Sequence, residues 1–422
     1  MFLALINQYK GLPKQIYIML VARIVAATGA FVYPFITMLL SSRLHFSDQE
    51  ISVYLLILAA SYIPSALIGG RLADLFNRKY VYVLVTFIAN ITFFIAGFYC
   101  YSLSVIYLIL IGYFFSNMGN PVIAAMMMDI TNPQNRQESL SLCYLGANLG
   151  IAVGPLNAGF LFENYTSWIF WGNAIINSLA MLIIAIWIKD TRPDEQAVKA
   201  IIADDSRQAE RPASGGTLAQ LFKNPIIIIF ALIGICYTFS YSQLSYIMSL
   251  HLEEIFGIAA GSKYIGAMWS INGLVVFIST PLMVLLFKKR NALLNISTAG
   301  IGYVLGFGLY AFTQNIIVIL LLVIVWTCGE VLCNTNTGVF IANHTPLTHR
   351  ARFQSIYEII QGTGRAIGPL LMSSFLLNHS YSQGWLLVSL VSFSAVLGYY
   401  ILYRFWLFNN RKTTRSKNNL TG

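Results

Sequence analysis

Long apolar runs separated by short polar loops dominate the chain, and none of them shows the alternating pattern of a membrane barrel strand. A membrane-spanning helix needs about 20 mostly apolar residues, and these runs are long enough. The pattern predicts an all-α membrane protein with twelve transmembrane helices. The predicted segments are residues 15–40, 51–70, 80–102, 104–128, 138–161, 168–188, 225–249, 264–287, 293–313, 316–341, 354–377 and 385–407.

The basic residues between these segments predict the membrane topology, because Lys and Arg concentrate in cytoplasmic loops. With the N-terminus placed in the cytoplasm, 22 of the 26 Lys and Arg residues fall on the cytoplasmic side. The outer side holds only Arg43 and Lys263, while Arg23 and Arg365 lie within predicted helices. This split predicts a multi-pass protein of the cell membrane with both termini in the cytoplasm.

The longest polar stretch, residues 189–224, predicts a cytoplasmic linker between six-helix bundles at 1–188 and 225–407, and residues 408–422 form a predicted cytoplasmic tail. An internal repeat supports this division. The fifth segment contains GIAVGPL, starting at Gly150, and the eleventh contains GRAIGPL, starting at Gly364, 214 residues later. Two pseudo-symmetric six-helix bundles are typical of one transporter fold.

Composition agrees with a membrane protein and excludes the soluble classes. Hydrophobic residues make up 57% of the 422 residues and charged residues 10%, where a soluble domain carries about 25%. The net charge of +10 therefore indicates membrane topology, and we predict no nucleic-acid partner. The sequence has no Walker loop, no G-x-S-x-G motif and no metal-ligand spacing of Cys or His, so we predict no enzyme activity, no cofactor and no metal site.

The loop after the second segment reads GRLADLFNRK and starts at Gly70. It resembles the G-x-x-x-D-R-x-G-R-R/K signature of the major facilitator superfamily, with Leu75 and Asn77 replacing the usual Arg and Gly. We expect Gly70 to allow close helix contact, and Asp74 and Arg78 to take part in gating. Asn77 tolerates left-handed backbone and can replace the glycine of the turn.

The fifth segment reads GANLGIAVGPLNAG, with Gly150, Gly154 and Pro155 at its centre. It resembles the G-x-x-x-G-P-x-x-G-G signature of antiporters in this superfamily. Glycines spaced by four make a flat face for tight packing, and Pro155 removes a backbone hydrogen bond. We therefore expect a kinked gating helix; ordinary small-residue packing is the alternative, because the eleventh segment repeats part of the pattern.

Two further stretches, GYFFSNMGNPVIAAMMMDITNPQNR and WTCGEVL, are similar to a 12-helix subgroup of drug:proton antiporters from Gram-positive bacteria. The resemblance implies proton-coupling carboxylates at Asp129, at the end of the fourth segment, and at Glu330, in the tenth. A third carboxylate of that subgroup is replaced here by Cys143. A helix-capping role is the alternative for Asp129.

Charged residues inside apolar segments cost about 3 kcal/mol or more each and are functional by default. Burial disfavours the charged form of a carboxylate, so Glu330, near the middle of its segment, is the strongest candidate for proton exchange. A static bridge from Glu330 to Arg365 or Arg23 is the alternative. Glu358 lies seven residues before Arg365 and therefore on the same helix face.

The resemblance implies that the first, fourth, seventh and tenth segments line the transport cavity. Polar and aromatic residues of these segments, and the two intramembrane arginines, are candidate substrate contacts; core packing is the alternative explanation. Aromatic side chains with few fixed charges suit amphiphilic, often cationic, ligands. The candidates are Arg23, Tyr33, Phe114, Asn117, Tyr237, Ser240, Tyr241, Trp326, Asn334 and Arg365.

The sequence leaves several transport functions open. The first is proton-driven efflux, by antiport and alternating access, of lipophilic or amphiphilic compounds. The others are proton-coupled uptake of a small nutrient or anion, with Arg23 and Arg365 as the anion site, and lipid flipping. The antiporter signature favours efflux, and the expected partners are a small-molecule substrate, protons and the lipid bilayer, with the protein acting as a monomer.

Overall fold

A computed structural model describes residues 9–131, 135–189, 191, 225–287, 289–344 and 350–418. These residues form helices and contain no strand, which confirms the predicted all-α fold. The helices are α1 (Lys14–Thr28), α2 (Ile36–Ser42), α3 (Asp48–Leu75), α4 (Arg78–Phe98), α5 (Ser104–Ile130), α6 (Arg136–Ile151), α7 (Gly154–Phe162), α8 (Thr166–Trp187), α9 (Pro225–Ser242), α10 (Ile247–Phe287), α11 (Ala292–Gly308), α12 (Ile316–His344), α13 (Arg350–Leu376) and α14 (Tyr381–Asn418).

Ten helical stretches among the described residues are long and apolar enough to cross a membrane. The longest, Pro225–Phe287, has 63 residues and includes the predicted seventh and eighth segments. The 27-residue α13, which is not among the ten, coincides with the predicted eleventh segment. A multi-pass helical protein is thus confirmed, while the count of twelve spans stays a prediction.

The described helices group by their contacts into two units. The first lies within Met1–Gln208 and Ser245–Phe277, and the second within Ala209–Leu244 and Ile278–Gly422. Most of the predicted linker lies outside the described residues, so the predicted domain boundaries stay a prediction. The last helix, α14, continues to Asn418 and thus runs into the stretch that the sequence predicts as a tail.

The first helix of each sequence repeat ends at the same place in the repeat. α1 ends at Thr28, and α9 ends at Ser242, 214 residues later. The Ser242 hydroxyl and the Gln243 amide both donate to the Phe239 carbonyl oxygen, at 2.7 and 3.1 Å. Side chains that bond nearby backbone in this way compete with the helical ladder. The predicted segments 15–40 and 225–249 are therefore both interrupted as helices, although each lies within a candidate span.

The break predicted before the eighth segment is much shorter in the structure, because α10 consists of two helical parts that meet at a kink. The helix bends at Gly257, whose φ of 73° is a conformation that side-chain-bearing residues rarely adopt. Lys263 consequently lies on a helix, with its Nζ atom 6.0 Å from the centre of the Phe160 ring.

The glycines of the antiporter-like signature pack against α1 in the first unit. A Cβ atom would lie 2.5 Å from the Ile24 carbonyl oxygen at Gly150, and 2.5 Å from the Thr28 carbonyl oxygen at Gly154. Such distances leave room for glycine alone, so the two backbones touch. The predicted tight packing face is therefore present.

The second unit repeats this packing. Gly364 on α13 approaches α9 so closely that a Cβ atom would lie 2.6 Å from the Ile235 carbonyl oxygen, and a Cβ atom at Gly368 would overlap the Ser242 hydroxyl. Each glycine face thus packs against the first helix of its own repeat. The internal repeat read from the sequence is a structural repeat.

The predicted fifth segment is divided into α6 and α7, with Pro155 in the first turn of α7. This confirms the expected interruption at proline. The opposite side of α6 and α7 is covered by α10, since a Cβ atom at Gly266 would lie 2.5 Å from the Pro155 carbonyl oxygen. Gly273 approaches the Asn148 carbonyl oxygen similarly, at 2.7 Å.

Two local expectations for the signature stretch at the end of α3 are wrong. A Cβ atom at Gly70 would have no neighbour within 4 Å, whereas the preceding Gly69 lies against the backbone of Met118 on α5. Asn77 has a φ of −59°, which is not left-handed, and its Oδ1 atom accepts a hydrogen bond from the Tyr80 N–H at 3.1 Å. It therefore caps the N-terminus of α4.

Candidate functional site

Glu330 lies on α12 and is half-buried in the second unit. The Tyr241 hydroxyl, next to the C-terminal end of α9, donates a hydrogen bond to Glu330 Oε1 at 3.2 Å. This contact joins two residues that the sequence places independently among the candidates. A tyrosine hydroxyl on a carboxylate fixes the position of the group and supplies a neighbour that can exchange protons with it.

Aromatic side chains border this carboxylate. The Tyr241 and Trp326 rings meet edge to face, with centroids 6.0 Å apart. Trp326 is 1% exposed, and its indole N–H donates to the Tyr310 hydroxyl at 3.0 Å. Trp326, Glu330 and the exposed Asn334 are spaced by four residues and therefore share one face of α12.

Gly329 determines which side of α12 meets α11. A Cβ atom at Gly329 would lie 2.5 Å from the Ala299 carbonyl oxygen, and Gly302 on α11 lies against the Gly329 backbone. Because successive helix residues differ by about 100°, Glu330 lies on the adjacent face of α12. The Gly-Glu pair thus combines a packing residue with a polar one.

Tyr237 and Ser240 lie in helix-packing contacts within the second unit. Tyr237 is 4% exposed and donates to the Ile296 carbonyl oxygen at 3.1 Å. Ser240 is fully buried and accepts a hydrogen bond from the Ser392 hydroxyl at 2.9 Å. The packing alternative accounts for both residues, and the structure does not bring them to Glu330.

Arg365 and Glu358 form an ion pair along α13, with Nη2 3.3 Å from Oε2. This confirms that they share a helix face. Both side chains are more than half exposed at the surface of the protein, at 52% and 55%. A bridge from Glu330 to Arg365 is one of the two alternatives from the sequence. In the structure Arg365 pairs with Glu358.

Arg23 is a half-buried cation in the first unit. It lies on α1 within electrostatic range of the Tyr82 hydroxyl and the Cys143 thiol. Among the residues that the structure describes, its buried Nε has no hydrogen-bond partner. Phe114 packs against the apolar core that includes Tyr82 and Cys143.

The remaining cavity candidates of the first unit lie nearer the surface. Tyr33 is 51% exposed, in a single 3-10 turn after α1, and its ring meets Tyr113 edge to face at 6.2 Å. Asn117, on α5, is half-buried and its Oδ1 accepts a long hydrogen bond from Asn120 at 3.4 Å. Tyr33 and Tyr54 both lie within electrostatic range of the Tyr113 hydroxyl.

Asp129 forms an ion pair with Arg78 within the first unit. Arg78 is 15% exposed and Asp129 11%, and Asp129 Oδ2 also accepts from the Thr191 hydroxyl at 3.0 Å. The pair connects the end of α5 to the start of α4, so a basic residue of the signature loop has a carboxylate partner. Asp74 lies in α3, and its side chain is outside the described residues.

Removing one charge of this pair should destabilise the first unit by about 3 kcal/mol, because the other charge stays buried without its partner. We expect Arg78→Gln and Asp129→Asn each to lower the unfolding temperature of the purified protein. The double variant should recover part of the loss. Additive losses in this double-mutant cycle would contradict a direct coupling.

Several of these neighbours were not predicted from the sequence. Tyr82 lies near Arg23, on a different helix, so no spacing along α4 indicates that contact. Tyr310 and Thr191 carry no sequence signal either, because each contacts a residue outside its own helical turn. Within the described ranges, no group of three or more His, Cys, Asp or Glu side chains could hold a metal ion.

Comparison with known proteins identifies the family. The family model of the Major Facilitator Superfamily matches residues 18–369. The Na(+), Li(+), K(+)/H(+) antiporter of Planococcus maritimus is 20% identical over 405 residues, which cover 90% of this chain and 93% of that protein. The multidrug transporter DTR1 of Candida glabrata is 26% identical over 175 residues, or 41% of this chain and 31% of that one.

Solved structures agree on the fold. A POT family transporter, crystallised with a thioalcohol-conjugated peptide, superposes with a TM-score of 0.73 at 12% identity and covers 94% of this chain and 99% of its own. Together with the helical architecture and the structural repeat, the match over most of the sequence shows that the chain belongs to the major facilitator superfamily and is a membrane transporter, not an enzyme.

Proposed function

We propose that this transporter exports lipophilic or amphiphilic organic cations in exchange for protons, by alternating access. The observation that carries the proposal is the half-buried Glu330, which is hydrogen-bonded by Tyr241 and bordered by Trp326. A carboxylate can hold a proton or pair with a cation, but not both. Competition for one carboxylate is the simplest physical basis for antiport.

The surroundings of Glu330 favour an organic cation over an inorganic one. Small hard cations require several oxygen ligands, whereas the described neighbours of this carboxylate include an indole and phenol rings that can hold an organic cation over their faces. The Planococcus relative is named for alkali cations. Sodium, lithium and potassium are therefore the comparison substrates in any test.

Gating by the two signature regions belongs to the same proposal. Gly150 and Gly154 form the contact of α6 and α7 with α1, Pro155 lies in the first turn of α7, and Arg78 forms the pair with Asp129. We infer that these contacts change between the two access states. We include Gly70 and Asp74 in the proposed gate because they belong to the same signature stretch as Arg78.

We further infer that the protein lies in the cell membrane as a monomer, with both termini in the cytoplasm. The one-sided distribution of Lys and Arg supports this orientation. The apolar stretches of 21 to 29 residues found for most of the candidate spans match the thickness of such a bilayer.

One central carboxylate implies one coupling proton per cycle, because Cys143 stands where the related subgroup has another carboxylate. Exchange of one proton for a monovalent cation moves no net charge. The membrane potential, worth about 2.3 kcal/mol per charge per 100 mV, would then not drive transport. Only the pH gradient would.

Inverted membrane vesicles that contain the protein should therefore accumulate a fluorescent organic cation when their interior is acidified. We expect a potassium ionophore that collapses the potential to leave accumulation largely intact, and a proton/potassium exchanger that collapses the pH gradient to stop it. Accumulation that depends mainly on the potential would contradict one-for-one exchange. If the vesicles exchange protons for alkali cations but not for the organic cation, the substrate is an alkali cation and the proposed organic class is wrong.

A second candidate function, proton-coupled uptake of an organic anion, has one observation in its favour. Arg23 is a half-buried cation whose Nε has no partner among the described residues. An anionic substrate could supply that partner. The direction of movement in the vesicles separates the two functions, since uptake would release an anion from inverted vesicles and leave the organic cation untouched.

A further inference from the structure

A cavity of about 580 Å³ lies at one end of the second unit, apart from Glu330 and Tyr241. Its wall comes from the end of α10, the start of α11, the last third of α12 and Trp406, which lies near the end of the apolar stretch of α14. The polar part of the wall includes Arg290, Thr335 and Asn336. Because it lies at the ends of spanning helices, the cavity is at the depth of lipid headgroups rather than at the membrane centre.

Hydrogen bonds hold the polar wall in place. Asn295 is fully buried, and its Nδ2 donates to the Phe287 carbonyl oxygen at 3.0 Å and to Asn336 Oδ1 at 2.8 Å. Asn336 Nδ2 in turn donates to the Leu332 carbonyl oxygen at 2.8 Å. The end of α10 is thus tied to α11 and α12, and the cavity is a built feature of the unit.

The other part of the wall is apolar and reaches the surface. Val284 is 47% exposed and Val339 50%, and Trp406 is half-buried beside them in the same wall. Exposed aliphatic side chains at the end of a spanning helix face acyl chains, and tryptophan prefers the interface of the bilayer. The cavity therefore has a polar part at the level of the lipid headgroups and an apolar part that faces the lipid acyl chains.

The charge of this region is positive. Arg290 is exposed, with its guanidinium carbon 5.3 Å from the centre of the Phe287 ring, and none of the described lining residues is acidic. Residues 278–422 contain eleven Lys and Arg but only two Glu. The first turn of α11, which also lines the cavity, adds the positive end of a helix dipole.

We propose that this cavity binds an anionic phospholipid. The lipid phosphate pairs with Arg290, and one acyl chain lies along Val339 and Trp406. The volume is in the range of small-molecule sites, so it holds the glycerophosphate and the first part of the chain. Basic pockets between spanning helices on the cytoplasmic side are suited to anionic headgroups, and the proposal is independent of the transported substrate.

The test uses the full-length protein in phosphatidylcholine vesicles that contain a minor fraction of phosphatidylglycerol with brominated acyl chains. Bromine quenches nearby tryptophan, and subtracting the signal of Trp406→Phe isolates Trp406 from the other six tryptophans. We expect phosphatidylglycerol to quench Trp406 at several-fold lower mole fraction than brominated phosphatidylcholine. Equal quenching by the two lipids would overturn the proposal.

A matched pair of charge variants tests the role of Arg290. Arg290→Gln should weaken the phosphatidylglycerol effect about fivefold, the effect of one basic side chain near an anionic surface. Lys289→Gln removes a neighbouring charge that does not line the cavity and should leave quenching unchanged. Equal losses in both variants would mean general surface attraction. Displacement of the lipid by soluble glycerol 3-phosphate would mean a site for a free phosphate, and either result would overturn the proposal.

Discussion

Replacing Glu330 with Gln should abolish gradient-driven transport while leaving the protein folded. Glutamine has nearly the same shape, and its carbonyl oxygen can still accept the hydrogen bond from Tyr241. It cannot take up or release a proton. One pH unit supplies about 1.4 kcal/mol per proton, so wild-type vesicles should accumulate the substrate up to about tenfold and the variant should not accumulate it at all.

Two measurements distinguish lost coupling from lost binding or folding. Substrate exchange without any gradient needs no proton, so Glu330→Gln should retain it with a weaker affinity for the cation, because the paired charge is lost while the rings of Tyr241 and Trp326 remain. Glu358→Gln is the matched control, since it neutralises a carboxylate in an exposed pair and should keep most of the uphill transport. Normal accumulation by Glu330→Gln would remove this residue from the coupling mechanism.

Replacing Gly154 with Leu should cause a large loss of stability at the α1 contact. Even a Cβ atom would lie 2.5 Å from the Thr28 carbonyl oxygen and 3.0 Å from that of Ala27. Both neighbours are backbone atoms and cannot rotate away. We expect a cost of about 3 kcal/mol or more in the free energy of unfolding, because α7 must move away from α1.

The measurement is the thermal unfolding of the purified protein, followed by size-exclusion chromatography after heating. Gly338→Leu on α12 is the control, since a Cβ atom there would have no neighbour within 4 Å. It should unfold near the wild-type temperature. A Gly154 variant as stable as this control would show that the α1 contact tolerates separation, and the role of Gly154 would then concern gating alone.

The sequence predicts helix bounds well where they coincide with the ends of apolar runs. It predicts them less well where side chains form hydrogen bonds with the backbone and end a helix within an apolar run. The sixth predicted segment, 168–188, nearly coincides with α8, Thr166–Trp187. The turn after α9 was not predicted, because Ser242 and Gln243 end the helix through hydrogen bonds that leave the apolar run unchanged. Hydropathy measures transfer from water to lipid and contains no information on such competition.

The same distinction applies to the site. Glu330 is identified from sequence because a carboxylate in an apolar run is rare and costly. Its partner Tyr241 is 89 residues away in the chain. Tyr237 is also a tyrosine and lies one helical turn earlier on the same face of α9, so the sequence does not tell which of the two contacts Glu330. The structure separates the two tyrosines because Tyr237 is enclosed by the rings of Tyr303 and Tyr399. Periodicity identifies a helix face but not which neighbour covers each part of it.

The cover that α10 provides over α6 and α7 has a consequence for biosynthesis. The contacts of Gly266 and Gly273 with Pro155 and Asn148 join residues more than a hundred positions apart. The first unit therefore cannot complete its packing until the ribosome has made the chain through Phe277, after α9 of the other unit has already emerged. A fragment that stops at residue 208 would lack α10 and leave the side of α6 and α7 around Pro155 and Asn148 uncovered in the membrane, where membrane quality-control proteases can attack it.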